Sequence, residues 1–346
     1  MATRDRRSDA PGSATKRPRL EDVAAAIGMS PSSVSLALSE RPGPSEETRR
    51  RVREAAERLG YRPDRTASLL ARRRTRLLGV MLDIRSPFHA ELVEDLHLAG
   101  EGRGYDLVLS TVTRNRDESR AIDALLDFRC EALILLGPNS SSTRLSTLAE
   151  QLPVVAIGMQ SAAAGIEVVR AADDLGVAQA VAHLVELGHR EIAFVDGGKG
   201  PVTALRRRGY RTAMRRHGLT GTQRIIPGAR DERGGADAAR RLLDSSSLPT
   251  AVIAFNDQCA VGLQDAFSRA GIDVPGQVSI VGYDNSMLAQ LAHIDLTTVD
   301  QDATQLAEHA VQVAADRLEN GRTAPEEFVL MPRLVVRRTT GPVRSS

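Results

Sequence analysis

Seven side chains that could bind a small polar ligand are spread through the larger, C-terminal part of this sequence. They comprise two carboxylates, two guanidinium groups, an amide, an imidazole and an aromatic ring: Asp83, Asp284, Arg206, Arg230, Asn256, His89 and Phe88. Taken singly, Asp284 could be a helix cap, Phe88 a core residue and Arg230 a solvated loop residue. Taken together, they predict a ligand-binding cleft.

The sequence lacks the patterns that catalysis would require. The "GGKG" of residues 197–200 follows an apolar run but has neither the spacing nor the Lys-Ser/Thr ending of a phosphate-binding loop, which favours a turn. Neither a His-Glu-x-x-His nor a Gly-x-Ser-x-Gly motif is present. Cys130 and Cys259 show no metal-ligand or redox spacing, which predicts buried, reduced thiols. We therefore expect no catalytic residue, metal or cofactor.

The elements that must position the seven side chains follow from an alternation that begins at Leu77. Amphipathic stretches alternate with apolar runs of strand length: "LLGVMLD", "YDLVLST", "EALILLG", "PVVAIG", "EIAFVDG", "AVIAF" and "VSIVGYD". Such continuous apolar strands predict an α/β fold with parallel sheets covered on both faces. Asp83 and Asp284 end the first and last runs, and Asn256 follows "AVIAF". Two doubly wound subdomains would place these residues in a cleft at the carboxyl ends of the strands.

Positive charge is concentrated at the N-terminal end of the chain. The 346 residues have a net charge of +2, but residues 1–76 contain 18 Lys and Arg against 10 Asp and Glu, whereas the remainder contains 28 against 34. A basic segment of this kind suits the phosphate backbone of a nucleic acid, and the alternative is a solvated tail. Because neither a secretory signal nor a membrane-spanning run is found, we expect a cytoplasmic protein.

The stretch "EDVAAAIGMSPSSVSLALSE", from Glu21 to Glu40, predicts two short helices joined by a tight turn. Gly28 suits a turn position with positive φ, Ser30 suits a helix cap, and Pro31 suits the first helical position. A third helix is expected to begin after Ser45 and to end at Gly60. These spacings favour a helix-turn-helix unit over an unrelated helical bundle.

The second of these helices has one apolar face and one serine-rich face. Val34, Ala37 and Leu38 are expected to point inward. An uncharged outward face that can enter a DNA groove is then formed by Pro31, Ser32, Ser33, Ser35 and Leu36.

The segment "DRTASLLARRRTR" that follows is too short to form a stable isolated helix. Ala67 and Ala71 are small enough to let two such segments approach each other, and Leu70 could act as a wedge in a minor groove. The alternative is that Leu69 and Leu70 cap the domain that follows.

The sequence resembles the lac repressor and purine repressor family of bacterial transcription regulators. The matching text begins with "LEDVAAAIGMSPSSVSLALSERPGPSEETRRRVREAAERLGYRPDRTASLLARRRTRLLGVMLDIRSPFHAEL". It continues with "HLVELGHREIAFVDG", "AVIAFNDQCAVGLQDAFSRAGIDVPGQVSIVGYDN" and "LTTVDQD". The resemblance implies a periplasmic-binding-protein-like architecture in which the chain crosses between subdomains near residues 171, 299 and 325.

The resemblance also assigns roles to individual residues. Pro31 and Ser32 fall where the family reads operator bases, and Leu70 falls on its intercalating hinge leucine. Arg206 matches an arginine that commonly contacts the effector, and Asn256 and Asp284 match positions that hold polar ligands. Together with the outward face of the second helix and the hinge, the full set expected to contact DNA is Ser30, Pro31, Ser32, Ser33, Ser35, Leu36, Arg65, Ala67 and Leu70. This chain departs from the family at Asp64, Ser68 and Leu36, so no operator sequence can be carried over.

These observations predict a ligand-responsive regulator, most simply a repressor that binds a pseudo-palindromic DNA operator as a homodimer. The expected segments are a flexible basic arm (1–17), the helix-turn-helix domain (18–63), a hinge (64–76) and an effector-binding and dimerisation domain (77–346). The alternative, a solute-binding protein with the same cleft, does not account for the N-terminal unit. The C-terminal "RRTTGPVRSS" lacks a heptad run, so no tetramerising coiled coil is expected.

The effector is expected to be a sugar, a sugar phosphate or a small acid. Sugar-binding members of the family often place an aromatic ring where "GARDERGG" puts Arg230 in this chain, and the chain contains no tryptophan. An arginine at that position favours an anionic ligand if it points into the cleft, and carries no such implication if it points to solvent.

Overall fold

The computed structural model describes residues 18–38, 43–61, 74–160, 165–321 and 324–343. The chain divides into two compact units, Met1–Arg74 and Thr75–Ser346. The basic arm (1–17) and the hinge residues Arg65, Ala67 and Leu70 lie outside the described residues. No helix in the described ranges is long and apolar enough to cross a bilayer.

The first unit contains three short helices: α1 (Leu20–Ile27), α2 (Pro31–Leu38) and α3 (Glu46–Leu59). Gly28 ends α1 with a φ of 66°, a left-handed conformation that a side chain would disfavour. The Ser30 hydroxyl then accepts the Ser33 N–H at 3.1 Å and caps α2. Their shared core is Val23, Ala24, Val34, Ala37, Val52, Ala55 and Ala56. The predicted helix-turn-helix is thus confirmed.

The second unit alternates strands and helices. Its first strands are β1 (Leu77–Asp83), β2 (Asp106–Val112), β3 (Ala132–Leu136), β4 (Val154–Ile157), β5 (Glu167–Ala171) and β6 (Ile192–Asp196). The later strands are β7 (Arg224–Pro227), β8 (Ala251–Ile253), β9 (Ser279–Asp284), β10 (Thr298–Asp300), β11 (Glu327–Leu330) and β12 (Arg333–Val335).

The helices of the second unit connect these strands. They are α4 (Pro87–Glu101), α5 (Glu118–Asp127), α6 (Ser142–Ala149), α7 (Asp173–Glu186), α8 (Pro201–Arg216), α9 (Glu232–Leu243), α10 (Asp257–Arg269) and α11 (Ala303–Asn320). Short 3₁₀ turns span Thr220–Thr222 and Met287–Gln290. Residues 197–200 form the turn between β6 and α8, as predicted for the "GGKG" stretch.

The strands form two sheets. The first has the order β11-β5-β4-β3-β1-β2 with parallel pairing throughout, and the second has the order β12-β10-β9-β8-β6-β7. In the second sheet only the β10–β12 pair is antiparallel. The predicted α/β fold with two subdomains is therefore confirmed.

Helices cover both faces of each sheet, which explains why the strands are continuously apolar. Along β1, Leu78 and Val80 pack beneath α4 and α11, whereas Met81 packs in the core beneath α5 and α6. In the second sheet, α7 and α8 cover one face, and α9 and α10 cover the other. Successive side chains of a strand point to opposite faces, so a strand buried on both sides has no polar alternation.

In the described ranges, the chain passes between the two sheets three times. The first two passages lie between β5 and α7 and between β10 and α11, close to the expected positions 171 and 299. The third occupies residues 331–332, beyond the expected position near 325. It comes later because residues 327–330 first add β11 to the edge of the first sheet.

Candidate functional site

A cavity of about 340 Å³ lies at the carboxyl ends of the strands of both sheets. Its volume falls within the range of roughly 300–1,000 Å³ that small-molecule sites occupy. All seven side chains singled out in the sequence line it: Asp83, Phe88, His89, Arg206, Arg230, Asn256 and Asp284. Parallel strands end at the same edge of a sheet, which is why residues far apart in the chain meet here.

Arg206, on α8, forms the floor of the cavity and is only 4% exposed. Its Nε donates to Asp173 Oδ1 at 2.7 Å, its Nη1 donates to the Phe255 carbonyl at 2.6 Å, and its Nη2 lies 3.5 Å from Asp284 Oδ1. The guanidinium also lies 3.6 Å from the centre of the Tyr283 ring. Burial opposes its charge, but Asp173 and Asp284 keep the pKa of Arg206 raised. Arg206 is therefore a fixed cation.

Asp284 ends β9 beside Arg206. Its φ of 112° is unusual for a residue other than glycine, and strained backbone of this kind is common at binding sites. Gln301 donates to its Oδ1 at 2.7 Å. Burial raises the pKa of the Asp284 carboxyl, and the Arg206 guanidinium opposes that shift. Among the described residues, Asp284 Oδ2 has no hydrogen-bond donor, so this oxygen is available to a ligand hydroxyl.

Asp83 does not offer a free carboxylate to the cavity. Its Oδ1 and Oδ2 accept from Arg85 Nε and Nη2 at 3.0 and 2.7 Å. Although burial acts in the opposite direction, the hydrogen bonds from Arg85 lower the pKa of Asp83. The backbone N–H of Asp83 instead positions His89, since it donates to Nδ1 of that ring at 3.1 Å.

His89 is a neutral donor as a result. A ring nitrogen that accepts a hydrogen bond carries no proton, so the proton of the neutral ring is on Nε2. Nε2 lies beside Gly137, another residue of the cavity wall, and has no partner among the described residues. Burial lowers the pKa of His89 to about 4, although the Asp83 carboxylate acts in the opposite direction. The ring therefore presents an N–H at neutral pH.

This lowered pKa predicts that His89 weakens the fold in acid. Between about pH 6.5 and 4 the unfolded chain binds a proton at this histidine and the folded chain does not, so stability is lost as the pH falls. From pH 7 to pH 5 the loss due to His89 should be about 1–2 kcal/mol. Urea unfolding of wild type and His89→Gln at both pH values measures it as the difference between the two proteins. If the variant lost the same free energy of unfolding between pH 7 and pH 5, a neutral, buried His89 would be contradicted.

Arg230 reaches the cavity from the loop between β7 and α9. Its Nη2 donates to the Lys199 carbonyl at 2.9 Å, its Nε lies 3.4 Å from the Gly197 carbonyl, and its guanidinium stacks 5.3 Å from the centre of the Phe255 ring. Arg230 thus points along the cavity wall, although part of its side chain is exposed to solvent.

Asn256 has both a structural and a cavity-facing role. Its Oδ1 caps α10 by accepting the Cys259 N–H at 2.9 Å, and its Nδ2 donates to the Arg230 carbonyl at 2.9 Å. The neighbouring Asp257 is not part of the cavity wall, because its carboxylate accepts from Ser286 and Thr298 in the interior. Asn256 therefore fixes the loop that carries Arg230.

Sequence reasoning missed several residues of the cavity wall, among them Arg85, Phe255 and Gln301. Phe255 is the last residue of the apolar run "AVIAF" and could not be told apart from a core residue. Gln301 follows β10, which is only three residues long. Arg85 could have been suspected as a partner, since it lies two residues after Asp83.

The second candidate site is the exposed face of α2. Pro31, Ser32, Ser35 and Leu36 are exposed, whereas Ser33 is half-buried. Ser30 and Ser33 hydrogen-bond to each other through their hydroxyls at 2.8 Å, and Ser30 Oγ also lies 3.0 Å from Ser32 Oγ. The serine-rich surface is therefore partly preorganised by its own hydrogen bonds.

Comparison with known proteins decides the family. A family model described as "Bacterial regulatory proteins, lacI family" matches residues 19–64, and one for a periplasmic binding protein-like domain matches residues 181–340. The HTH-type transcriptional regulator DegA of Bacillus subtilis is 31% identical over 333 residues, which cover 94% of this chain and 98% of DegA. The chain belongs to the lacI family.

Solved structures of two transcription regulators match nearly the whole chain. The complex of the transcriptional regulator CelR with cellobiose is 28% identical, covers 93% of this chain and 100% of the CelR chain, and has a TM-score of 0.70. The lac repressor dimer bound to operator and the anti-inducer ONPF is 27% identical, covers 94% and 100% of the two chains, and has a TM-score of 0.79. As a lacI-family protein, this chain is a ligand-responsive DNA-binding transcriptional regulator and not an enzyme.

Proposed function

We propose that this regulator binds a pseudo-palindromic operator as a homodimer and acts as a repressor whose DNA affinity is set by a small, sugar-like metabolite in the cavity. The observation that carries the proposal is the convergence of donors and acceptors on the cavity from both sheets. The cellobiose complex of CelR and the operator complex of the lac repressor dimer support it by similarity. A DNA-binding role would place the protein in the cytoplasm, with the chromosome.

On DNA, the exposed face of α2 is proposed to enter the major groove. Pro31, Ser32 and Leu36 would contact base edges, with Ser30, Ser33 and Ser35 contacting bases or phosphates. Arg65, Ala67 and Leu70 of the hinge are proposed to act in the minor groove between the half-sites. Two chains related by a twofold axis would place their α2 helices about one DNA turn apart, which requires a palindromic site.

In the cavity, the effector is proposed to contact both sheets at once. His89 and Phe88 would reach it from the first sheet, and Arg206, Asn256 and Asp284 from the second. Asp83 would act indirectly, by holding His89. A ligand that contacts both sheets binds one relative arrangement more tightly than another, and this difference in affinity is what can shift DNA binding.

Operator selection from random DNA duplexes, with and without candidate sugars, tests the proposal. Palindromic enrichment that depends on a ligand is expected, and non-palindromic or ligand-independent enrichment would contradict it. The logarithm of operator affinity should also fall linearly with the logarithm of salt concentration, by about 0.9 for each phosphate contacted.

Ser32→Ala should weaken binding to the selected operator by about 1–2 kcal/mol, because an exposed hydroxyl that reads a base edge is lost. Fluorescence anisotropy of labelled duplexes measures this loss. Binding to a random duplex serves as the control and should be unchanged. An equal loss on both duplexes would mean that Ser32 contacts phosphate and does not read sequence.

A further inference from the structure

The charges of the cavity wall are unevenly matched. Among the described residues, three arginines and three aspartates line it: Arg85, Arg206, Arg230, Asp83, Asp231 and Asp284. Asp83 is paired with Arg85 at 2.7 Å, and Asp284 faces Arg206 at 3.5 Å. Asp231 caps α9, with its Oδ1 accepting the Gly234 N–H at 2.9 Å, and a helix N-terminus stabilises a carboxylate. Each carboxylate therefore already has an electrostatic partner.

Among the described residues of the cavity wall, Arg230 is the arginine that forms no ion pair with a carboxylate. In the described part of the chain, no carboxylate oxygen lies within 4.0 Å of its guanidinium, which donates to the carbonyl oxygens of Gly197 and Lys199. Its Nη1 makes no hydrogen bond within the same residues. A guanidinium is charged at any physiological pH and presents a fork of donors suited to carboxylate and phosphate oxygens.

His89 adds a second donor on the same cavity. Its Nε2–H has no partner among the described residues, and Arg230 is close enough for its charge to help lower the pKa of His89. A neutral N–H beside a guanidinium is a suitable environment for an oxyanion. The available acceptor is Asp284 Oδ2, in the carboxylate whose Oδ1 lies 3.5 Å from Arg206 Nη2, and it can accept from a ligand hydroxyl.

We propose that the effector is a small polyol that carries a phosphate or carboxylate, with this anionic group bound by Arg230 and His89 and the hydroxyls bound at Asp284. The proposal rests on the proposed function, because it specifies the ligand class of the same cavity. It predicts discrimination against the uncharged parent sugar.

Calorimetric titration of the full-length protein with three matched sets of compounds tests the ligand class. The sets are hexose and pentose monophosphates, the corresponding sugar acids, and the neutral parent sugars, with inorganic phosphate as a separate probe. At least one anionic compound should bind at least tenfold more tightly than its neutral parent and than inorganic phosphate. A preference for phosphates over acids, or the reverse, identifies the anionic group.

Substitution of Arg230 tests whether its charge is responsible for the preference for anionic compounds. Arg230→Gln should lower the affinity for the anionic compound about ten- to a hundredfold, as expected for the loss of hydrogen bonds to a charged group. The affinity for the neutral parent sugar should not change. Arg230→Lys should recover part of the affinity, since it keeps the charge but loses the fork. The matched control is Arg233→Gln, which removes an exposed arginine of α9 outside the cavity wall and should have no effect.

The outcomes separate the two proposals. If only neutral sugars bind, and Arg230→Gln leaves them unaffected, the anionic class is wrong while a ligand-responsive cavity stands. If an anionic compound binds equally well to Arg230→Gln, the assignment to Arg230 is wrong. If no compound of any set binds or changes the operator selection, both the anionic class and the sugar-like effector are wrong.

Discussion

Arg206→Ala is expected to lower the free energy of unfolding by about 3–5 kcal/mol and to abolish effector binding. The substitution leaves Asp173, which is 2% exposed, and Asp284 as buried carboxylates without their cation. Breaking a buried ion pair by removing one partner has a cost of this size because the remaining charge stays desolvated. Chemical denaturation at neutral pH, with ligand titration of the folded fraction, measures both effects.

The pH dependence distinguishes a lost charge from lost packing. Without Arg206, the pKa of Asp284 should rise further, so the folded variant binds protons that the unfolded chain does not. A carboxyl whose pKa is raised in the folded state stabilises that state. The stabilisation is complete below the pKa of the unfolded chain, about 3.9, and is lost as the pH rises through the pKa of the folded state. Because burial already raises the pKa of Asp284 in the wild type, the two proteins should differ most at alkaline pH, and the difference should shrink as the pH falls from about 10 to 7. A constant difference would indicate packing alone.

Arg208→Ala is the matched control for this prediction. Arg208 lies on the same helix and forms an ion pair with Asp174 at 3.4 Å, but Arg208 is exposed to solvent and Asp174 is only half-buried. Exposed pairs contribute little, so its loss should change the stability by no more than about 1 kcal/mol. A similar loss in both variants would mean that helix α8 itself, and not the buried pair, is sensitive to substitution.

The second large effect is expected from Gly262→Ala. Helices α9 and α10 cross so closely that a Cβ at Gly262 would press on the carbonyl oxygen of Glu232, and one at Gly235 would press on that of Cys259. Backbone atoms cannot turn aside as a side chain can, so the helices must separate, at a cost of about 3 kcal/mol or more. Since Glu232 begins α9, this shift also moves Arg230 and Asp231 in the cavity.

Thermal unfolding and ligand titration test this prediction. Gly262→Ala should lower the melting temperature and the affinity for the effector, although the residue lies outside the cavity wall. Gly221→Ala is the control, because a Cβ there meets open space. A variant that loses stability but keeps its full effector affinity would show that the crossing of α9 and α10 does not position Arg230.

The sequence predicted all the central strands except β5 and β10, but of the four edge strands it predicted only β2. β1, β3 and β4 are buried on both faces and therefore appear as continuous apolar runs. β7, "RIIP", and β11, "EFVL", lie at sheet edges, where partial exposure permits charged and polar residues. Short edge strands of this kind depend on tertiary pairing, which leaves little signal in local sequence.

The cavity residues could be predicted as a group because side chains at the carboxyl ends of parallel strands lie close together. What each side chain does there could not be predicted. The ion pairs of Asp83 with Arg85 and of Arg206 with Asp173 depend on distances that only the fold determines. The same holds for Arg230, whose direction along the cavity wall depends on its hydrogen bonds to the 197–200 turn.

The repeated passage of the chain between the sheets also determines the order in which the protein can fold during synthesis. The core of the first sheet is completed by α11, which contributes Leu306, Ala310 and Val311, yet α11 is translated only after the whole span from α7 to β10. At a rate of protein synthesis of about 5–20 residues per second, β1–β5 remain without this helix for on the order of ten seconds. We therefore expect the subdomain that is synthesised first to stay incomplete until nearly the whole chain has been made, and its uncovered apolar face to be the segment of the nascent chain that chaperones bind.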